Sequence, residues 1–528
     1  MAIPALIQQG LYSAQKVYQP LAKGYYGIVH TLTMLAYMAL LRIKNPEQIK
    51  NYSPGELGKV LGLDRCPEVS CLRNKIQEFT SQSKAIEWQS LLSKEWIEEG
   101  QCEYYYVDGH VRVYSGHKAT LQKKFVSRQK LCLAGTTEYW VNDQQGNPFM
   151  VFMGELNSKL KDAILNQIVP ALLEDTKNRI SQEALDKDPL LPRFTLIFDR
   201  EAYEPLFFKT LWDEHRIAII SYRKNVKDVW DDKLFENKEI EVINNKVRAD
   251  ICELGVAING HWYREVRKRN NAQHQTSIIT TNLKITVEEV AGKMFSRWSQ
   301  ENFFQFMIRH YDFDKMIEYG TVNYDNQCKV VNPAYSTLSY IIKVNKAKKL
   351  RLESKLLKII SAHIDEEKDL KQVIEKQVPI NKKIEDYKLI IEENIEKRKS
   401  TPAKIKIADL PVDKQYNKLK TESKHFMNII KMIVFRAESS LFNLIKPFYA
   451  NSEKDGRQLI ADIFNTPADI APDFENKILN VTLLALSTPR ANKVLSELCK
   501  EMNETKTIYP NSNLTLFFKS SAPTSAIG

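Results

Sequence analysis

The clearest periodic signal in the chain is one apolar stripe. Val287, Ala291, Met294 and Trp298 recur at alternating steps of four and three, which puts them on one face of a helix. The next position on that stripe is Glu301, within Arg297-Trp298-Ser299-Gln300-Glu301-Asn302-Phe303-Phe304. A carboxylate on a face meant for the core is costly unless something pairs with it. Either Glu301 meets a buried arginine or the edge of the stripe, or it is a metal ligand that other carboxylates join.

Residues 1 to about 98 read as helical. Gly27 to Leu41 is the most apolar run, but it is short for a membrane span and contains His30, Thr31 and Thr33, so a buried helix is expected. Ser53-Pro54-Gly55-Glu56 reads as a helix start, with Ser53 as cap, Pro54 in the first turn and Glu56 closing a capping box. Leu57, Val60 and Leu61 form its apolar face, and Gly62 to Cys66 makes a turn. Pro67 then opens a second helix with Val69, Leu72 and Ile76 inward and Ser70, Arg73, Asn74, Lys75 and Gln77 outward. That is the helix-turn-helix pattern, its second helix lined with side chains able to read bases; plain helical packing gives the same pattern. Ser81 to Glu99 adds an amphipathic helix with Trp88, Leu91, Leu92 and Trp96.

Near residue 100 the period changes to two. Strands are expected at Glu103 to Tyr114, Lys130 to Asn142 and Phe149 to Met153, then a helix from Leu156 to Asp175. Phe194 to Phe198 is a continuous apolar run, as for a central buried strand. A helix from Tyr203 to His215 and a strand from Ile217 to Tyr222 follow. The order predicts an α/β sheet mixing antiparallel and parallel strands. Residues 224 to about 284 alternate in short stretches and read as a β-rich insertion before the helix of Glu301. From Asn332 the chain turns helical and highly charged. Leu350 to Arg398 predicts a helical hairpin or coiled coil interrupted at Pro379, serving as a spacer, a dimerisation arm or a basic track for DNA. Lys414 to Phe448 continues helical, and Ile478 to Leu483 reads as a strand.

Length and charge sharpen this picture. A chain of 528 residues is long enough for about three or four domains. The formal charge of +11 points to a polyanionic partner, nucleic acid above all. The seven cysteines are scattered and odd in number, without a Cys-x-x-Cys pair, which favours a reducing compartment over a disulfide framework or zinc knuckle. A soluble intracellular protein without a membrane segment is expected.

Two further acids sit where strands present them. Asp108 lies among aromatics in Tyr105-Tyr106-Val107-Asp108-Gly109-His110. Asp199 follows the apolar run and precedes Arg200-Glu201. An acid at the carboxyl end of a central strand is where open α/β sheets place ligand sites; the competing role is a helix N-cap. His110 and His117-Lys118 lie close after Asp108 and are either structural or DNA-contacting. Trp298 is expected in the core. Within the insertion, Trp262, Tyr263, Arg264, Arg267, Lys268 and Arg269 interleave aromatic and basic residues, as DNA contacts or as a strand with one wet face.

Asp108 in VDGHVRVYSG, Asp199 in LIFDREAY and Glu301 in RWSQENFF together resemble the DDE triad of bacterial insertion-sequence transposases. Relatives with a β-rich insertion often carry Y-x2-R-x3-E-x6-K on the glutamate helix. Arg297 and Glu301 match; the Tyr and Lys positions are Met294 and Ile308, with Arg309 alongside. The resemblance implies an RNase H-like mixed sheet core with a β-rich insertion, flanked by an N-terminal helical domain and a C-terminal mostly helical region. It divides the chain into 1–99 (DNA binding), 100–330 (catalytic, insertion about 224–284), 331–413 (charged helices) and 414–528 (α+β). It implies Asp108, Asp199 and Glu301 as ligands of two Mg²⁺ ions, with Mn²⁺ able to substitute. Arg297 would contact phosphate or instead bridge to Glu301 one turn away. Arg73, Asn74, Lys75, Arg264, Arg267 and Lys268 are the other candidate DNA contacts. The expected partners are the element's terminal inverted repeats and target DNA, bound as a homodimer at the bacterial nucleoid. The rivals are a metal-dependent nuclease of the same fold that does not join, and a catalytically silent DNA-binding descendant.

Overall fold

The computed structural model describes residues 1–22, 24–99, 103–116, 119, 121, 123–126, 129–176, 180–243, 245–312, 320–323, 329–366, 370–411, 415–449 and 453–522. His117 and Lys118 lie outside them. The chain packs as two compact units, one of residues 1–115, 122–319 and 420–528, the other of 116–121 and 320–419.

The first unit begins with helices α1 (Ile3–Gln8), α2 (Ile28–Leu40), α3 (Pro54–Lys59), α4 (Val69–Ser81) and α5 (Ala85–Glu99). The apolar run of α2 is buried, as its composition requires. Ser53 caps α3 by accepting from the Glu56 amide, but the Glu56 carboxylate pairs with Lys59 rather than closing a capping box. Lys75 departs from expectation. It is buried on α4, donating to the Ala22 carbonyl and pairing with Glu78.

The sheet of this unit comprises β1 (Tyr104–Val113), β2 (Lys123–Val126), β3 (Leu131–Asn142), β4 (Pro148–Glu155), β5 (Phe194–Phe198), β6 (Ile217–Tyr222), β7 (Glu236–Val242), β8 (Asn245–Ile258), β9 (His261–Arg269) and β10 (Gln275–Thr280). Their order is β3-β1-β5-β6-β10-β9-β8-β7, with β2 and β4 both on β3. β1, β5 and β6 run parallel, and the other pairings are antiparallel. The insertion therefore extends the sheet through β10. Alternation along the strands splits two cores. Tyr104, Tyr106, Ile197 and Ile220 pack on one face, and Tyr105, Val107, Leu196 and Phe198 on the other. The crossovers are α6 (Leu160–Ala163), which passes through a π-helical turn at Ile164–Ile168 into α7 (Val169–Asp175), then α8 (Gln182–Lys187) and α9 (Pro205–His215).

The glutamate helix is not continuous. It divides at Arg297 into α10 (Val287–Ser296) and α11 (Trp298–Tyr311). Val290, Ala291 and Met294 of α10 pack on the tyrosine face of the sheet. Past the break Trp298 is 55% exposed, and Gln300 is fully buried in place of the expected tryptophan.

In the second unit, α12 (Pro333–Glu366) and α13 (Leu370–Ser400) run against each other. Pro379 is carried inside α13, and the division of the helices falls before it. Short ladders pair β11 (Thr321–Asn323) with β14 (Asn417–Leu419) and β12 (Lys329–Val331) with β13 (Lys404–Lys406). The C-terminal part of the first unit has α14 (Glu422–Ile445), α15 (Glu453–Asn465) and α16 (Pro489–Glu504), and a small sheet of β15 (Ala468–Asp473), β16 (Ile478–Leu483) and β17 (Thr515–Ser520). The buried helix α14 packs against α1, α2, α4, α5 and β4.

Candidate active site

The five residues of β5 are all buried, so the strand is fixed on both faces up to Phe198. Asp199 follows at its carboxyl end. Its carboxylate accepts from the Arg200 amide and caps a single 3-10 turn at Arg200–Ala202. The neighbouring strand β1 pairs Val107 with Phe198 in parallel register. Asp108 is the residue after Val107, so the two aspartates leave adjacent strands at the same level.

Asp108 accepts from the Gly109 amide at 2.8 Å. Burial pushes its carboxyl up from 3.8 to about 6; Arg297 and the Gly109 amide oppose this, while the charges of Asp199 and Glu201 add to it. Its side chain is 23% exposed and lies 3.6 Å from Nη1 of Arg297. The other guanidinium nitrogen of Arg297 donates to Glu301 at 2.8 Å. Arg297 thus ties the strand acid to the helix acid, making the one-turn pair with Glu301 that its spacing allowed.

Gln300 sets the position of α11. Its side-chain nitrogen donates to the carbonyls of Tyr106 and Trp140 and to Oδ1 of Asn142 at 2.9–3.3 Å. Those bonds clamp the first turn of the helix across β1 and β3. Phe303 packs behind it on Trp140 and on Phe435 of α14. His110, two residues after Asp108 on the same strand face, is buried and stacked on Phe304.

Three residues join this site that spacing alone did not single out. Glu201 acts on Asp108 through space. Tyr222, at the end of β6, has its hydroxyl pushed up by burial, with Arg297 and Arg200 opposing and Asp199 and Glu301 adding to the rise. Gln300 is the third. The signal for Glu201 was its place two residues after Asp199; a buried glutamine beside a helix break leaves no periodic trace.

Among the described residues, no three histidine, cysteine, aspartate or glutamate side chains gather closely enough to hold one metal ion. The donor chemistry nevertheless suits a hard divalent cation. All the acids are oxygen donors, and largely buried Asp108 beside Asp199 calls for positive charge, which Arg297 supplies in this arrangement.

The other candidate contacts lie apart from this cluster. Arg264 uses its guanidinium on Glu253 and on the carbonyls of Asn282 and Ile285. Arg267 is fully buried, paired with Glu265 and Asp228 and stacked over Trp230. Lys268 lies over the Phe295 ring. Each of these three is engaged inside the protein. Arg73 is exposed and paired with Glu47, and Asn74 is exposed. No helix among the described residues is long and apolar enough to cross a membrane.

A family model described as "Transposase protein" matches residues 1–521. A solved structure that matches is a piggyBac transposase synaptic complex with hairpin DNA, at 8% identity over 89% of this chain and 83% of that chain, with a TM-score of 0.31. No curated protein sequence matches. The family match spans nearly the whole chain, and the chain belongs to that transposase family.

Proposed function

We propose that this member of the transposase family is a DDE enzyme that binds the ends of its own mobile element and carries out Mg²⁺-dependent strand cleavage and strand transfer. The observation that carries this reading is the convergence of Asp108 from β1 and Glu301 from α11 on Arg297, with Asp199 on the adjoining parallel strand. The strand order β4-β3-β1-β5-β6 supports an RNase H-like core, with the insertion β7 to β10 appended to its edge.

Asp108, Asp199 and Glu301 would hold two Mg²⁺ ions, Mn²⁺ substituting, and the chemistry these supply when bound is activation of the attacking oxygen and stabilisation of the leaving one. The chain's own groups do the rest. Gln300 keeps Glu301 in register with the strands. Arg297 presents a planar fork that can exchange its carboxylate partners for the oxygens of a phosphodiester. The Tyr222 hydroxyl, raised by burial, stays protonated at working pH and can donate to a phosphate oxygen.

In the first step a water oxygen bonds to phosphorus and the 3′-oxygen leaves as a hydroxyl. In the second, that hydroxyl attacks a target phosphodiester and a new 3′-oxygen leaves. Each step exchanges one phosphorus–oxygen bond for another, so no oxidant and no protein–DNA covalent bond is required. The positive charge of the chain and the α3–α4 pair support DNA binding. A homodimer would bring two element ends together.

Joining separates this reading from a nuclease of the same core. Pre-cleaved element ends incubated with the protein, Mg²⁺ and supercoiled target should become covalently attached to the target. Repeated nicking of intact ends with no joined product would leave the nuclease reading instead.

A further inference from the structure

Between the helical N-terminal part, the far end of α11 and α14 lies a cavity of about 560 Å³. It belongs wholly to the first unit. Ten residues separate Glu301 from Tyr311 on its wall, roughly 15 Å along the helix, so it is distinct from the acid cluster. Its volume falls within the range of about 300–1,000 Å³ of small-ligand sites.

Its lining has two characters. Leu35, Met38, Ile43, Ile76, Met427 and Ile430 supply an apolar wall. Arg42, Lys44, Arg73 and Lys431 bring positive charge against the acids Glu47 and Asp312. Two of these cations are already committed. Arg42 holds Glu438 in a two-pronged pair, and Arg73 holds Glu47.

Lys431 is different. It is 7% exposed, and among the described residues no hydrogen bond or ion pair engages its ammonium. Burial and the nearby Arg112 pull its pKa down from 10.5 to about 8, with Asp312 acting the other way. A lysine held in a protein wall without a partner is costly unless an anion completes it. Asn45, Gln77, Thr80 and Ser423 also line the space, the Asn45 side-chain oxygen accepting from the Gln48 amide and the Thr80 hydroxyl donating to the Gln77 carbonyl; a carboxylate ligand with a plain alkyl body would leave this polar part of the wall unused. A heterocyclic base would use it.

We propose that this cavity binds a nucleoside monophosphate unit, its phosphate completing Lys431 and its base lying on the apolar wall with its polar edge toward those amides and hydroxyls. The unit is either a free nucleotide or the terminal nucleotide of a DNA strand. The second source rests on the transposition reading, and the first does not.

The test uses the full chain and three variants, Lys431→Met, Lys431→Arg and Ile76→Trp. Free deoxynucleoside monophosphates are titrated while thermal unfolding is followed. In parallel, a duplex with one unpaired terminal 5-iododeoxyuridine is photo-crosslinked and the attached peptide mapped. The expected result is stabilisation by the nucleotide, or crosslinking to α4 or α14, or both. Either should weaken about tenfold or more in Lys431→Met and in Ile76→Trp, as loss of a charge-assisted hydrogen bond or of the space requires, and persist in Lys431→Arg. Lys431→Met should fold, because it replaces a buried charge with an apolar side chain of similar length.

No nucleotide stabilisation together with crosslinks confined to other elements overturns the proposal. So does Lys431→Met binding as tightly as the wild type. Nicking of element ends by a protein that fails both binding arms would sink the site and leave the transposition reading standing. Nucleotide binding by a protein that cuts no DNA would do the reverse.

Discussion

Asp108 and Asp199 extend from neighbouring parallel strands one residue past a paired couple, Val107 and Phe198. Parallel strands in register bring equivalent residues to within about 5 Å across the ladder. Two carboxylates so placed repel each other, and burial of Asp108 sharpens the conflict. Arg297 relieves part of it, and α11 delivers Glu301 to the same guanidinium.

The conflict gives Asp108 a pH signature. Its folded carboxyl, near 6, lies above the ordinary 3.8. The ionised form is therefore disfavoured by the fold, and the cost is fully present above pH 6. It fades as pH falls from 6 to 3.8 and is lost below that, where the acid is protonated in both folded and unfolded chains. Asp108→Asn should accordingly unfold at a higher temperature than the wild type at pH 8, gaining at most about 3 kcal/mol. Most of the gain should be gone by pH 4, and the rest below the ordinary 3.8. Paired melts across that range check it; a variant less stable at pH 8 would count against this placement of Asp108.

A divalent cation held by Asp108 and Glu301 would have to displace Arg297 from those two acids. Arg297→Gln should bind Mn²⁺ more tightly than the wild type, by about tenfold for a pair worth near 1.4 kcal/mol. Isothermal titration calorimetry without DNA measures this directly. Weaker Mn²⁺ binding in the variant would make Arg297 a support of the ion rather than its rival.

Gln300 should matter more to catalysis than to DNA binding. Gln300→Ala removes the buried amide whose two hydrogens are shared among the carbonyls of Tyr106 and Trp140 and Oδ1 of Asn142. The expected cost is about 1–3 kcal/mol in chemical denaturation, since buried acceptors are left unsatisfied. Cleavage rate at saturating DNA should fall as Glu301 loses its register, while affinity for element ends stays. A loss of affinity with an unchanged rate would contradict this role.

Glu438 is fully buried on α14, held by Arg42 from the N-terminal helices and by the Tyr311 hydroxyl at the end of α11. Truncation would strand the Arg42 charge. Glu438→Ala should cost about 3–5 kcal/mol in urea unfolding. A cost under about 1 kcal/mol would mean that the three elements are held together by their apolar contacts alone.

Much of this arrangement was legible in the chain. β1, β3, β4, β5 and β6 all fall where period-two and continuous apolar runs predict them, because each buries one or both faces. The acids could be singled out because a charge beside Tyr105-Tyr106-Val107 or directly after Leu196-Ile197-Phe198 is conspicuous. What could not be read was local. The helix divides at Arg297 and Gln300 takes the buried position through its tertiary bonds, so the stripe wrongly carried Trp298 into the core. Lys75 turned inward to reach a carbonyl from residue 22, a contact that no periodicity encodes. Arg264 and Arg267 read as DNA contacts or as one wet face of a strand; Arg264 instead pairs with Glu253 on the neighbouring strand, and Arg267 with Glu265 on its own strand and with Asp228.

Asp108, Asp199 and Glu301 would act together on DNA in the proposed reaction. The most direct measurement incubates the purified protein with DNA carrying the element's own ends, in Mg²⁺ or in EDTA, beside Asp108→Asn, Asp199→Asn and Glu301→Gln. Nicking at the ends should need the metal and be lost in all three variants, each still binding the same DNA. Nicking that persists in any one of the variants, or in EDTA, would contradict that joint role.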